Sequence, residues 1–266
     1  MNQSIFRMPK VALCISGQPR NALYSFPYIK QNIIEPNQAD VFIHMHYDPE
    51  NLYMEKSHAD KGNCLLQPGL DQQLIQLYQP KSVLVEKPRN FQKPLFRIPP
   101  KRLERSKSMN SHKKWSDEEH IAYTVKNMTS MYYSIYKANE LKEIYANEQG
   151  IVYDYVIRIR FDFFPYEPLI MTKYHANFIH YLEMGQPDQL ISDWCNFGSN
   201  AIMNIYASLY LHMDYLNTFQ FFPITERLPN TLEPSDTCSG CSEHMLRDLM
   251  YLHHIPKQPF RIHAEL

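Results

Sequence analysis

The chain has 266 residues, 44% of them hydrophobic and 21% charged, and a formal net charge of −1 at pH 7. This composition is typical of a globular protein with a sizeable core. It contains no apolar run long enough to span a membrane, and the near-neutral charge argues against a nucleic-acid binder. Five irregularly spaced cysteines favour reduced thiols, and residues 1–9 lack the apolar core of a signal peptide. We therefore expect one cytoplasmic domain over residues 1–266.

Short apolar runs separated by helical segments predict a parallel sheet. Residues 10–16 and 40–44 are almost continuously apolar, as in strands buried on both faces, and residues 81–86 form a third run. Between these runs, one helix is predicted to begin at Ser25 and another to cover residues 69–78. Strands and helices that alternate in this way form the right-handed crossover units of an α/β fold.

Polar residues follow the first two strands. Gly17, Gln18 and Arg20 come directly after the first strand, where open α/β sheets bind nucleotides, and the two long side chains offer donors for a base or a diphosphate. The second strand runs into three polar residues, His44, His46 and Asp48. We interpret them as hydrogen-bonding groups beside a ligand or at the surface, and a metal site is the less favoured alternative.

Residues 87–115 are the most basic part of the chain. From Lys87 to Lys114 the sequence has ten Lys and Arg residues against one acid, Glu104. Several prolines and the lack of periodic apolar residues predict a long mobile loop. A solvated basic loop is the plainer interpretation, and a lid or acceptor-binding loop for anionic partners is the alternative.

A long helix is predicted next. Ser116 and Glu119 have the spacing of a capping box, which marks the start of a helix, and Gly150 is suited to its end. Apolar residues recur at helical spacing between these points. They are explained by packing against the sheet, so no cofactor role is assigned to them.

Residues 153–165, with the sequence YDYVIRIRFDFFP, have the β-branched and aromatic character of a strand but carry charges where a strand is normally apolar. Side chains alternate along a strand, so Arg158, Arg160 and Asp162 share one face. Buried charges are costly unless they are paired or bind a ligand, so this row is either an ion-pair ladder or the floor of a site for an anion and a cation. Asp162 falls at the end of the strand, which favours the site, and we expect the strand to be fourth in the sheet and near its centre.

Two further strands are predicted at residues 177–183 and 193–199, and Ser199 has the character of a helix cap. At Gly198 the backbone can approach a ligand closely. The last helix begins after Cys238 and Cys241, which form a Cys-x-x-Cys sequence. A second pair of ligands at finger-like spacing is missing, so zinc is the less favoured interpretation there.

Glu243 follows directly and puts a carboxylate at the amino terminus of this last helix, in or near the same cleft.

Four short motifs occur in a characteristic order: VALCISGQPR (11–20), DVFIH (40–44), YDYVIRIRFD (153–162) and FGS (197–199). Together they resemble small glycosyltransferases of the GT-A fold, of the kind found in bacterial polysaccharide clusters and large DNA viruses. The resemblance covers residues 10–260. It implies a single Rossmann-like α/β domain with a central, mostly parallel sheet flanked by helices, a nucleotide-binding half at about 10–165 and an acceptor or catalytic half at about 166–266.

The resemblance also implies roles for individual residues. The donor and its nucleotide would be bound by Ser16, Gly17, Gln18, Arg20, His44, Arg158, Arg160, Asp162, Phe197 and Gly198. The family's Asp-x-Asp element would match Arg160-Phe161-Asp162, so Asp162 and the late His263 would hold Mn²⁺ or Mg²⁺. Because an arginine stands at the first position of this element, dependence on the ion stays open.

The implied activity is the transfer of a sugar from a nucleotide-sugar donor to the hydroxyl of a glycan acceptor, with inversion at the sugar. The donor would be linked to UDP, and UDP-xylose is one candidate. Glu243 would act as the catalytic base, with Asp193 as the second choice. The alternative is a non-catalytic nucleotide- or glycan-binding protein of the same fold, in which the missing aspartate marks lost turnover.

Overall fold

The structure is a computed structural model that describes residues 7–54, 64–91, 100–109, 111, 113–183, 191–218 and 242–265. The strands are β1 (Val11–Gly17), β2 (Asp40–His46), β3 (Tyr53–Met54), β4 (Cys64–Leu65), β5 (Ser82–Glu86), β6 (Tyr155–Ile159), β7 (Phe164–Pro165), β8 (Ile179–Leu182), β9 (Cys195–Gly198), β10 (Lys257–Phe260) and β11 (Ala264–Glu265). The α-helices are α1 (Ala22–Ile29), α2 (Glu35–Asn37), α3 (Leu70–Tyr78), α4 (Pro100–Met109), α5 (Asp117–Gln149), α6 (Asn200–Ala207), α7 (Leu209–Thr218) and α8 (Ser242–Leu252). A π-helix at Lys30–Ile34 follows α1, and a 3₁₀ turn covers Met171–Lys173.

Seven strands form one sheet in the order β10-β8-β9-β6-β1-β2-β5. Within it β9 runs antiparallel to both of its neighbours, β6 and β8, whereas every other pair of neighbours is parallel. This arrangement confirms the α/β class and the mostly parallel central sheet flanked by helices. It also confirms that the charged strand, β6, is fourth and lies at the centre.

Helices cover both faces of the sheet. Ala12 and Cys14 of β1 belong to a core shared with α5, α6, α7 and α8, whereas Val11, Leu13 and Ile15 belong to a core shared with α1 and α3. Both sets of side chains are buried. The first strand therefore has no polar face, which explains its continuous apolar run.

The predicted capping box at the start of α5 is confirmed. The Ser116 hydroxyl accepts a hydrogen bond from the Glu119 N–H (3.2 Å), and the Glu119 carboxylate accepts one from the Ser116 N–H (2.7 Å). The helix continues for 33 residues and ends at Gly150, whose φ of 63° lies in the left-handed region that favours glycine.

The first helix differs from the prediction. Helix α1 begins at Ala22, so Ser25 lies inside the helix and does not cap it. The Ser25 hydroxyl is buried and donates to the backbone carbonyls of Ala22 and Phe161. Ser25 therefore ties α1 to the segment that follows β6.

The predicted loop over residues 87–115 is wrong where α4 lies, at Pro100–Met109. Proline is favoured at the first position of a helix, and the residues after it are largely Lys, Arg, Leu and Glu, which have high helix propensity. The helix was not predicted because its sequence is highly charged and lacks a long apolar stripe. None of the described helices is long and apolar enough to cross a membrane.

Candidate functional site

The carboxyl ends of β1 and β6 form the topological switch point of the sheet. From β1 the chain builds β2 and then β5 on one side, and it later returns to add β6 on the other side of β1. Open α/β sheets bind ligands in the crevice outside such a point, because the loops on either side lead away from each other. Here that crevice lies between Gly17, at the end of β1, and Arg160, directly after β6.

The turn after β1 leaves backbone accessible beside this crevice. Gly17 has a φ of +115°, which side chains rarely permit, and no atom lies within 4 Å of the position that a Cβ would take. The Arg20 side chain donates to the Gln18 side-chain oxygen, and the Arg20 N–H donates to the Gln18 carbonyl (2.8 Å). Gln18 and Arg20, the two residues predicted to contact a nucleotide, are therefore hydrogen-bonded to each other in a turn that has open space next to Gly17.

Ser16, the preceding residue, is a buried hydroxyl on the α5 face of the sheet. It pairs in register with His44 of β2 and is 2% exposed. Its Oγ has no hydrogen-bond partner among the described residues. A buried polar group without a partner is costly, and one at a switch point indicates a position that a ligand can satisfy.

Arg158 lies on the same face of the sheet and is also 2% exposed. It pairs in register with Cys14, and its guanidinium donates to the backbone carbonyl of Asp193. The Nε has no hydrogen-bond partner, and the side chain forms no ion pair with any carboxylate in the described part of the chain. A buried guanidinium without a counter-charge is unfavourable unless an anion binds to it.

Arg160 and Asp162 are paired with each other. The Arg160 Nε and one Nη donate to the two carboxylate oxygens of Asp162, at 2.8 and 2.7 Å. The Asp162 side chain is 5% exposed and that of Arg160 24%. Strand β6 ends at Ile159, so these two residues belong to the following turn and do not continue the row that begins at Arg158. In place of the expected single row, Arg160 and Asp162 form an ion pair with each other, and Arg158 has no carboxylate partner among the described residues.

Asp193 lies at the same edge of the sheet because β9 is antiparallel to β6. Cys195, the first residue of β9, pairs with Ile159, the last residue of β6. Asp193 comes two residues before Cys195, and its carbonyl accepts the hydrogen bond from Arg158. The predicted position of Asp193 near the donor is compatible with this geometry.

The direction of β9 moves Phe197 and Gly198 away from the switch point. Gly198 pairs with Val156, near the amino end of β6, three residues or about 10 Å from Cys195. The Phe197 ring is fully buried and stacks on His180 with the ring centroids 4.6 Å apart. The expectation that both residues lie under a donor sugar is therefore corrected, because both are buried in the core, Phe197 opposite the middle of β6 and Gly198 near its amino end.

Gly198 is required by packing. A Cβ at this position would lie 2.8 Å from the Phe178 carbonyl oxygen and 3.2 Å from the Ile202 Cγ2. Because one of these neighbours is backbone, it cannot move aside cheaply. We expect Gly198→Ala to lower the free energy of unfolding by about 1–3 kcal/mol, measured by denaturant titration. An unchanged free energy of unfolding would contradict this packing role of Gly198.

His44 is fully engaged inside the protein. Its Nε2 donates to the Glu86 carboxylate (3.0 Å) and its Nδ1 accepts from the Ser134 hydroxyl (2.6 Å), the tautomer that an ionised glutamate requires. The ring is buried, and so is Ser134. This Ser–His–Glu arrangement therefore cannot present a nucleophile to a substrate, and His44 has no ring nitrogen left for the predicted donor contact.

Burial and hydrogen bonding shift the pKa values of this cluster. Burial lowers the pKa of His44 to about 4, despite its bond to Glu86, and it lowers that of His46 as well. Burial works against ionisation of Glu86, but hydrogen bonds from His44, Tyr133 and Arg89 outweigh it and hold the Glu86 pKa at about 2. At neutral pH the cluster is thus a neutral histidine donating to a carboxylate.

Acid is expected to destabilise the fold through His44. The unfolded residue binds a proton near pH 6.5 and the folded one only near pH 4, so the unfolded state binds more protons in between and stability falls as the pH drops through this range. A shift of this size corresponds to about 3 kcal/mol. Glu86 adds a further loss between pH 4.5 and 2, because its folded pKa lies below its usual one.

Denaturant unfolding at a series of pH values between 7 and 4 measures this effect, and His44→Gln is the comparison. The variant should show a flatter pH dependence, whatever its stability at pH 7. An equally steep loss in both proteins would assign the acid sensitivity to other groups.

The predicted metal ligands do not fit a divalent ion. Both oxygens of Asp162 are directed at the Arg160 guanidinium. The exposed His263 lies opposite Tyr166, whose N–H donates to the His263 carbonyl (2.8 Å) and whose ring contacts the imidazole at a centroid distance of 4.8 Å. The antiparallel pairing of β7 with β11 thus sets His263 against the residue four positions after Asp162. In the described ranges there is no cluster of three His, Cys, Asp or Glu residues that could hold a metal.

Glu243 lies in the first turn of α8, on the layer of helices that covers Arg158. Strand β10, which follows α8, begins at Lys257 opposite Ile179, the first residue of β8, and ends at the same edge as β6. Helix α8 must therefore run back from that edge, with its amino terminus toward the carboxyl ends of the strands. The sequence-based position of Glu243 is compatible with this path.

Asn196 and Tyr206 surround Arg158, and sequence reasoning did not identify them. The buried Tyr206 hydroxyl donates to the Asn196 side-chain oxygen (2.9 Å), and the Asn196 amide donates to the Ser192 carbonyl (2.7 Å). The Tyr206 hydroxyl also lies beside the Arg158 guanidinium. An asparagine in the middle of an otherwise apolar strand was the available signal.

The predicted residues therefore divide into two groups. Those at the carboxyl edge near the switch point are Ser16, Gly17, Gln18, Arg20, Arg158, Arg160, Asp162 and Asp193, with Glu243 on the helix above. Those that lie elsewhere or are fully engaged are His44, Phe197, Gly198 and His263. The chain matches no model of a known protein family, and no curated protein matches it.

Proposed function

We propose that this protein is a glycosyltransferase that moves a sugar from a nucleotide-sugar donor to the hydroxyl of a glycan acceptor. The observation that carries the proposal is the switch point between β1 and β6, where an open glycine turn follows β1 and a buried arginine on β6 has no carboxylate partner among the described residues. A ligand that fits needs an anionic group for Arg158 and polar atoms for Ser16 and the turn. A nucleoside diphosphate sugar has all of these, and the resemblance suggests a UDP-linked donor, with UDP-xylose as one candidate.

In this proposal the donor diphosphate lies between the turn at Gly17 and the guanidinium of Arg158. Fixed positive charge and N–H donors at that point stabilise the negative charge that develops on the leaving diphosphate. Asp193, two residues before the start of β9, is close enough to the same edge to accept hydrogen bonds from sugar hydroxyls.

Transfer then requires one proton acceptor on the far side of the sugar. The acceptor oxygen attacks the anomeric carbon, and its proton passes to the carboxylate of Glu243. As the new carbon–oxygen bond forms, the bond from the anomeric carbon to the diphosphate oxygen breaks and its electron pair leaves with the nucleoside diphosphate. A single displacement of this kind inverts the configuration at the sugar.

A second function is favoured by the pairing of Arg160 with Asp162. Both carboxylate oxygens of Asp162, in the Asp-x-Asp-like element, accept hydrogen bonds from Arg160. The protein can therefore instead be a non-catalytic binder of nucleotides or glycans with the same fold. Its ligand contacts would be the same, but no sugar would be transferred.

Incubation with a panel of UDP- and GDP-sugars, followed by measurement of free nucleotide and by calorimetric binding of UDP and GDP, separates the two functions. A glycosyltransferase should release nucleotide from one donor, and a suitable glycan should accelerate the release. Binding without release, with or without Mn²⁺, would favour the non-catalytic binder. No binding of either nucleotide would contradict the glycosyltransferase and the nucleotide binder, and would leave a glycan binder as the remaining alternative.

A further inference from the structure

Arg160 stands at the position of the first aspartate in the Asp-x-Asp element of the enzymes that this sequence resembles. It also forms an ion pair with Asp162, which carries the one remaining carboxylate of that element. Its Nε and one Nη contact the two Asp162 oxygens at 2.8 and 2.7 Å, the two-pronged geometry of a strong arginine–carboxylate pair. Mg²⁺ and Mn²⁺ bind through carboxylate oxygens whose lone pairs are available. A divalent ion at Asp162 would have to displace the guanidinium or lie beside its positive charge, and both are unfavourable.

Arg158 is then the buried positive charge on the strand beside the switch point. The Arg160–Asp162 pair is neutral as a unit, so it contributes little net charge to a bound anion. Arg158 is 2% exposed and makes no ion pair with a carboxylate in the described part of the chain, so no described carboxylate compensates its charge. It contacts the Asp193 carbonyl, which turns its guanidinium toward the carboxyl edge where the ligand is expected.

We propose that this protein binds the diphosphate of its donor without a divalent cation, the buried guanidinium of Arg158 supplying the positive charge and Arg160 serving to hold Asp162 as a structural partner. This inference rests on the proposed function. It changes what the resemblance implies, because the metal ion is replaced by an arginine on the central strand. The role of Arg160 becomes positioning of the turn after β6.

Calorimetric titration of the full chain with UDP and with GDP, in EDTA and again in Mn²⁺, tests the inference. The same dissociation constant, within about twofold, is expected under both conditions for the nucleotide that binds. Binding that appears only with Mn²⁺ would overturn the inference and leave the proposed function standing. Absence of binding under both conditions would overturn the proposed function and the inference with it.

Two arginine variants test which side chain supplies the positive charge that binds the diphosphate. Arg158→Gln keeps hydrogen-bonding capacity and removes the charge, and it should weaken nucleotide binding about 10- to 100-fold in EDTA, with no recovery in Mn²⁺. Arg261→Gln is the matched control, because Arg261 pairs with Glu183 at the same edge of the sheet but is exposed. It should leave binding unchanged. Unchanged binding in Arg158→Gln, with the melting temperature retained, would overturn the role of Arg158.

Discussion

Glu243→Gln is expected to lower turnover by about 10²-fold or more while donor affinity stays the same. The substitution keeps the shape of the side chain and removes the proton acceptor, so only the chemical step should suffer. The path of α8 supports this expectation, because the helix runs back from the carboxyl edge of the sheet and starts on the layer that covers Arg158. Single-turnover rates and nucleotide titration measure the two quantities separately.

A glutamate in the first turn of a helix also stabilises the helix dipole, by up to about 1 kcal/mol. Glu118, in the first turn of α5, offers the same environment without a place in the site. Glu118→Gln should lower the melting temperature slightly and leave turnover normal. If Glu243→Gln behaves in that way and Asp193→Asn is inactive, then Asp193 is the base.

Six of the seven strands of the central sheet were predictable because they depend on local apolar runs and on chain order, whereas β10 was not predicted. A continuous apolar run such as that of β1 is stable only when both faces are covered, which implies a parallel sheet with helices on either side. The capping box at Ser116 was equally local, since both of its hydrogen bonds join residues three apart. These features needed no knowledge of distant contacts.

The direction of β9 was not predictable in this way. Alternation of side chains is the same in a parallel and an antiparallel strand, so the sequence around Gly198 did not reveal which end of β9 meets the ligand. The end of β6 was misjudged for a related reason. Residues 153–165 keep their β-branched and aromatic character past Ile159, yet the pair formed by Arg160 and Asp162 closes a turn there.

The isolation of Arg158 depends on residues that are far away in the sequence. Its guanidinium contacts the carbonyl of Asp193, 35 residues later, and the hydroxyl of Tyr206, and its face of the sheet is set by pairing with β1. Both arginines of the strand looked equivalent in the sequence. Only the tertiary structure separates an arginine with a carboxylate partner from one without.

That difference predicts opposite effects on stability when each arginine is replaced by methionine, a side chain of similar length without charge. Arg160→Met leaves the buried carboxylate of Asp162 without its cation, and the free energy of unfolding should fall by about 3 kcal/mol. Arg158→Met removes a buried charge that has no carboxylate partner among the residues that the structure describes. The unliganded protein should therefore be as stable as the wild type or more stable, although the hydrogen bond to Asp193 is lost.

Denaturant unfolding with and without a saturating nucleoside diphosphate measures both effects. Nucleotide should stabilise the wild type by mass action, by about 2.7 kcal/mol at a hundredfold excess over the dissociation constant, and should stabilise Arg158→Met much less. An arginine retained for the fold alone would give a different result, with Arg158→Met losing stability as Arg160→Met does and still responding to nucleotide. If Arg158→Met gains stability and loses the response to ligand, then the buried charge of Arg158 destabilises the protein without ligand, and bound diphosphate offsets that destabilisation.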